Sequence, residues 1–139
     1  MILSILLSLI FFGLAILHFT WVFDGKTGFI ESLPTNENGI RVLNPTKLDS
    51  AIVGIGLTFF GLFYVFHLGL IYFKLPYWMH ISGLWIIPII FIVRAIGDFK
   101  YVGFFKRVRK TNFAKLDTKY FSPLCFGIGV TGMIILYLK

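Results

Sequence analysis

Charge is scarce in this sequence, and that scarcity excludes a soluble protein. Only 14% of the 139 residues are charged, whereas 58% are hydrophobic. The mean hydropathy is +0.88. A soluble domain of this size would expose large apolar patches and aggregate, but a lipid bilayer accepts the same surface. The composition therefore predicts an integral membrane protein.

Cysteine is also nearly absent. The single Cys125 lies in an apolar run, which excludes an intramolecular disulfide and a cysteine-based metal site. We predict that Cys125 is a small packing residue in a helix.

Four apolar stretches are each long enough to cross the hydrocarbon core, which takes about 20 helical residues. They predict one all-α transmembrane domain over residues 1–139, folded as a four-helix bundle in antiparallel up-down order. The predicted spans are about 2–23, 51–73, 77–97 and 121–138. A cleaved signal peptide is the rival interpretation of the first stretch, but no positive residue precedes Ile2.

Acidic residues are absent from these four predicted spans. A proton-coupled exporter needs an intramembrane group that exchanges a proton for its cationic substrate. The absence of such a carboxylate argues against that class of protein.

Positive charge is concentrated on one side of the predicted bundle. Loops 24–50 and 98–120 together hold ten Lys and Arg residues, whereas the opposite side holds only Lys74 and Lys139. The positive-inside rule therefore predicts that both long loops are cytoplasmic and both termini lie outside.

The segment 98–120 alternates basic and aromatic residues. This pattern predicts a helix that lies in the headgroup region and binds anionic lipid, not nucleic acid. The predicted lipid contacts are Lys100, Lys106, Arg107, Arg109 and Lys110.

A few polar residues near the same boundary form a candidate pocket. Arg94 and Asp98 are four residues apart, so on a continuing helix they would share a face and form an ion pair. One interpretation is a structural ion pair. The other is a cytoplasm-facing pocket in which Arg94 holds an anionic headgroup or a phosphate, and His18 handles protons with Asp24 or Asp98. The candidate residues are His18, Trp21, Asp24, Arg94 and Asp98.

Two further histidines, His67 and His80, flank the short predicted hairpin near the outer face. Histidines on adjacent helices are able to ligate a haem iron or a metal. Their depths in the bilayer do not match and no third ligand is visible, so we predict no metal and no cofactor.

Two stretches resemble a known family. The first is HFTWVFDG at 18–25, followed by Leu33 and Pro34. The second is RAIGDFKYVGFFKR at 94–107, which continues through FAKLDT at 113–118 to SPLC at 122–125. Together they resemble the small bacterial membrane proteins catalogued as domain of unknown function 3995. The resemblance implies four helices and a bacterial plasma membrane, and it implies no activity or catalytic residue.

Three functional hypotheses follow. The first is a non-catalytic membrane protein that binds lipid or a protein partner, or serves as a subunit of a larger or homo-oligomeric assembly. The second is a membrane-embedded enzyme that acts on a lipid, quinone or isoprenoid at the cytoplasmic face. The third is a small-solute transporter.

Overall fold

The computed structural model describes all 139 residues, and it contains helices and loops but no β-strand. Four helical segments are long and apolar enough to cross a membrane. This confirms the prediction of an all-α protein with four membrane-spanning helices. The helices are α1 (Ile2–Val22), α2 (Lys47–His67), α3 (Tyr77–Ile96), α4 (Asn112–Leu116) and α5 (Ser122–Tyr137), and a π-helical turn (Asp117–Phe121) joins α4 to α5.

Small residues allow these helices to pack closely. α1 packs mainly on α2, and α3 mainly on α5. A Cβ atom at Gly61 of α2 would lie 2.7 Å from the Phe12 ring, and one at Gly132 of α5 would lie 2.5 Å from Pro88 of α3. Because apolar helices gain little from leaving lipid for one another, such close approach is what holds them together.

The contacts along each pair run in opposite order. Phe19 and Phe12 of α1 lie against Gly54 and Gly61 of α2, so residue numbers fall along α1 as they rise along α2. The same holds for α3 and α5, where Ile92 lies against Gly129 and Pro88 against Gly132.

Aromatic rings fill the centre of the bundle. Phe11 of α1 stacks on Tyr64 of α2 and contacts Phe91 of α3. All three are buried, whereas many large apolar side chains elsewhere on the helices are exposed. In a bilayer those exposed side chains contact lipid.

The second span differs from its prediction at both ends. α2 begins at Lys47, where Thr46 and Asp49 form a capping box. It ends at His67 instead of Phe73, because Gly69 adopts a left-handed backbone with φ +71 that closes the helix. Residues 68–73, which were predicted to be helical, therefore belong to the loop that joins α2 to α3.

The prediction of a helix across the basic segment is wrong for its first part. Residues 98–111 form turns and bends, and helix resumes only at Asn112. Gly97, Phe99 and Gly103 all have positive φ, which an α-helix does not tolerate. From Asn112 the chain is helical as far as Tyr137, so the fourth span starts nine residues before the predicted Phe121.

Candidate functional site

The main polar site lies where the loop between α3 and α4 folds against the bundle. We call it the Asp117 cluster, and it consists of Arg94, Gly103, Lys106, Asp117 and Ser122. Asp117 starts the π-helical turn, in which the Ser122 backbone N–H donates to the Asp117 carbonyl. Such turns are rare in proteins, and those that occur are often found at functional sites.

The Asp117 carboxylate is fully buried and receives four hydrogen bonds. Arg94 Nη2 donates to Oδ1 at 2.9 Å. Oδ2 accepts from the Gly103 backbone N–H at 2.8 Å, Lys106 Nζ at 3.1 Å and Ser122 Oγ at 3.0 Å. These donors come from α3, the loop and α5, so a single carboxylate ties three parts of the chain together.

Lys106 is buried as completely as Asp117. Its ammonium group donates to the Gly103 carbonyl, to Asp117 Oδ2 and to Thr118 Oγ1. All three N–H donors therefore have partners, as a buried ammonium requires. The prediction that Lys106 contacts anionic lipid is wrong, because its side chain points into the protein.

The loop reaches this position only because two glycines lie back to back. A Cβ at Gly97 would strike the Val102 carbonyl, and one at Gly103 would strike the Ile96 carbonyl. Beyond them, the Phe104 N–H donates to the Ala95 carbonyl at 2.8 Å. The loop thus extends the end of α3 and presents the Gly103 N–H to Asp117.

Asp98 does not pair with Arg94, contrary to the sequence prediction. Its carboxylate instead accepts from the backbone N–H groups of Lys100, Tyr101 and Val102. Partial burial acts to raise the pKa of Asp98, but these N–H groups outweigh it and hold the pKa below its ordinary value. The helix assumed for the predicted pair ends at Ile96, so the two residues do not share a helical face.

The other predicted pocket residues lie at the end of α1. His18 packs on Trp21, and its Nδ1 bonds the Leu14 carbonyl of the same helix. Asp24 forms an exposed ion pair with Lys47 at 2.7 Å. Trp21 and Asp24 line a cavity of about 270 Å³, where the loop after α1 meets the start of α2. No hydrogen bond or ion pair joins these residues to Arg94 or Asp98.

The exposed surface of the loop is basic and aromatic. Of the predicted lipid contacts, Lys100, Arg107, Arg109 and Lys110 are exposed. Phe99 and Phe105 are exposed beside them, with ring centroids 6.4 Å apart. Arg109 also donates to the carbonyls of Lys106 and Phe104. Arg107 and Lys110 make no side-chain hydrogen bond.

The histidine pair lies at the opposite end of α3 from Arg94. His67 Nδ1 and His80 Nε2 are 3.1 Å apart, which is a hydrogen bond between α2 and α3. His80 lines an open cavity of about 400 Å³ with Lys74 and the aromatic loop residues. No group of three or more His, Cys, Asp or Glu residues able to hold a metal is present.

A family model, described as a protein of unknown function (DUF3995), matches residues 11–131. The chain belongs to the DUF3995 family. The match covers α1 from Phe11 onward, α2, α3 and the whole Asp117 cluster. No curated protein and no solved structure matches the chain.

In this DUF3995 chain, sequence reasoning missed Asp117 and Ser122. The sequence predicts Asp117 in the loop 98–120 and Ser122 in the first turn of the last span. The observed fourth span begins at Asn112, so it contains Asp117, whereas the predicted span contains no carboxylate. One signal was available at Thr111, whose hydroxyl caps α4 by accepting from the Ala114 N–H. A Thr at that position predicts a helix start, which would have put Asp117 inside the fourth span.

Proposed function

We propose that this multi-pass membrane protein is non-catalytic and binds anionic lipid through the loop between α3 and α4. The observation that carries the proposal is that one cation of this loop is buried and the other four are exposed. Lys106 is buried and anchors the loop to Asp117, which leaves Lys100, Arg107, Arg109 and Lys110 exposed around Phe99 and Phe105.

Exposed cations and aromatic rings suit the membrane interface for different physical reasons. Phenylalanine rings enter the boundary between headgroups and acyl chains, and Lys and Arg are attracted to anionic headgroups. Each basic residue near the surface contributes about 1 kcal/mol to that attraction. A loop fixed by buried bonds presents both kinds of side chain together.

The proposal includes an orientation of the protein in the membrane. The two long loops, 24–50 and 98–120, lie in the cytoplasm of a bacterial cell, and both termini lie outside the plasma membrane. The support for this topology is the excess of Lys and Arg in those two loops. A reporter enzyme fused after Lys139 should be active only on the outer side, and cytoplasmic activity would overturn the topology.

Lipid binding is testable with a charge-matched pair of variants. R107Q/K110Q removes two exposed loop cations whose side chains make no hydrogen bond, so the loop should stay folded. K74Q/K139Q removes two exposed cations from outside the loop. Native mass spectrometry of each protein, titrated with phosphatidylglycerol or phosphatidylcholine in mild detergent, gives the affinities.

R107Q/K110Q should weaken phosphatidylglycerol binding by about 2 kcal/mol in total, at about 1 kcal/mol per charge. K74Q/K139Q should weaken it much less, and phosphatidylcholine binding should change in neither variant. Equal binding of the two lipids by the unmodified protein would refute the proposal and direct attention to a protein partner.

A further inference from the structure

The Asp117 cluster holds more positive charge than it neutralises. Arg94 and Lys106 supply two cations, and Asp117 is the only carboxylate that either of them contacts. Two cations and one anion leave a net charge of one positive unit. Because the Lys106 and Asp117 side chains are 0% exposed, water screens this charge only on the side of Arg94.

The unused hydrogen-bonding capacity of the cluster also belongs to Arg94. Asp117 accepts four hydrogen bonds, and every N–H of the Lys106 ammonium has a partner. Arg94 has five N–H donors, but only Nη2 makes a hydrogen bond. Its Nη1 is buried and has no partner. Such a donor is costly unless a partner satisfies it.

The surroundings of Arg94 indicate where a partner would come from. Its side chain is 33% exposed, in the last turn of α3. Ile90, one turn earlier, and the adjacent Val93 are both exposed apolar residues of a membrane-spanning helix. A ligand that reaches the guanidinium there would lie beside acyl chains, so its anionic group would belong to a lipid.

We infer that Arg94 is a specific binding site for the phosphate group of one anionic phospholipid. Asp117 accepts from Nη2, and phosphate oxygens accept from the N–H groups on the exposed part of the guanidinium, which do not include the buried Nη1. A planar guanidinium suits phosphate because it donates through several N–H groups in a fixed geometry. This inference rests on the proposed lipid-binding function and adds a single site to the diffuse surface of the loop.

The test compares R94Q with R107Q/K110Q in the same native mass spectrometry titration with phosphatidylglycerol. R94Q leaves Asp117 paired with Lys106, so the buried charges balance in this variant. The first binding event should weaken by about tenfold or more in R94Q, since a charge-assisted contact is lost. R107Q/K110Q should weaken the later binding events, which take place on the loop surface, and keep the first one.

The outcomes separate the two proposals. If R94Q binds the first lipid as tightly as the unmodified protein, the Arg94 site is refuted and the proposed function stands. If R94Q fails to fold, R107Q/K110Q decides, because it retains Arg94. One saturable site that prefers phosphatidylglycerol to phosphatidylcholine would then support the inference, and equal binding would overturn it.

The source of the phosphate is tested by competition. Inorganic phosphate at tens of millimolar should leave the bound phosphatidylglycerol in place, because the free ion lacks acyl chains to lie along Ile90 and Val93. Displacement of the lipid by inorganic phosphate would instead identify Arg94 as a site for an aqueous anion and would overturn the assignment to lipid.

Discussion

The Asp117 cluster and the His67–His80 pair lie at opposite ends of α3, and both contain polar side chains from a membrane-spanning helix. In the cluster, one carboxylate receives four hydrogen bonds from α3, the loop and α5. In the histidine pair, one hydrogen bond joins α2 to α3. One end of α3 is therefore secured by a network, and the other by a single contact.

This difference indicates what each end does for the fold. Buried charges are tolerated only where partners satisfy them, so the loss of one partner is severe. A single neutral hydrogen bond contributes about 0.5–1.5 kcal/mol. We therefore expect the Asp117 end to decide whether the loop folds, while the histidine end tolerates change.

The largest effect is expected from D117N. An amide cannot neutralise the fully buried Lys106 or the partly exposed Arg94, so the free energy of unfolding should fall by about 3–5 kcal/mol. The matched control is D24N, which breaks the exposed ion pair with Lys47 and should cost at most about 1 kcal/mol. Unfolding by sodium dodecyl sulfate in mixed micelles measures both. Equal losses would show that Asp117 is not an anchor.

The glycine contact at the cluster gives the next largest effect. G103A combines a left-handed backbone, which costs about 1–2 kcal/mol, with overpacking against the Ile96 carbonyl, which costs about 1–3 kcal/mol more. G39A is the control, because Gly39 has a similar φ of +76 and open space around it. The difference in the free energy of unfolding between the two alanine variants measures the cost of the contact with the Ile96 carbonyl. Equal stabilities would contradict the close approach of Gly103 to that carbonyl.

The histidine end should respond less. H80Q removes the imidazole that bonds His67 and should lower the free energy of unfolding by about 1 kcal/mol. H18Q is the comparison, because His18 bonds its own helix and joins no second element. A loss in H80Q as large as that in D117N would mean that the histidine pair is part of a network like that of the cluster.

How far the sequence predicts this molecule depends on the range of the interactions. The four helices follow from hydrophobic length, which is a local property. The Asp117 cluster does not, because Lys106 and Asp117 are 11 residues apart and Arg94 and Asp117 are 23 apart. Local spacing favoured Asp98 as the partner of Arg94. Only the turn at Gly97 and the left-handed Gly103 bring Asp117 there instead.

The sequence also does not predict which basic side chains of the loop are exposed, because exposure too depends on contacts between distant residues. Lys106 and Arg107 are adjacent basic residues, yet one is buried and the other is exposed. Which of the two points inward depends on the path of the loop, and that path is fixed by carbonyl contacts at Gly97 and Gly103. A count of positive charges therefore predicts a basic surface correctly and overstates how many residues form it.

The smallest effect is expected at the exposed Asp98, whose carboxylate accepts hydrogen bonds only from the backbone of its own loop. The pKa of Asp98 is depressed in the folded protein, so its contribution to stability is fully present above the ordinary value of 3.8. That contribution is lost as the pH falls through the depressed value. The melting temperature of D98N should therefore lie below that of the unmodified protein at pH 6, and the gap should begin to narrow as the pH falls below about 4. A gap that stays constant down to pH 3 would mean that the Asp98 carboxylate does not hold the turn at Lys100, Tyr101 and Val102.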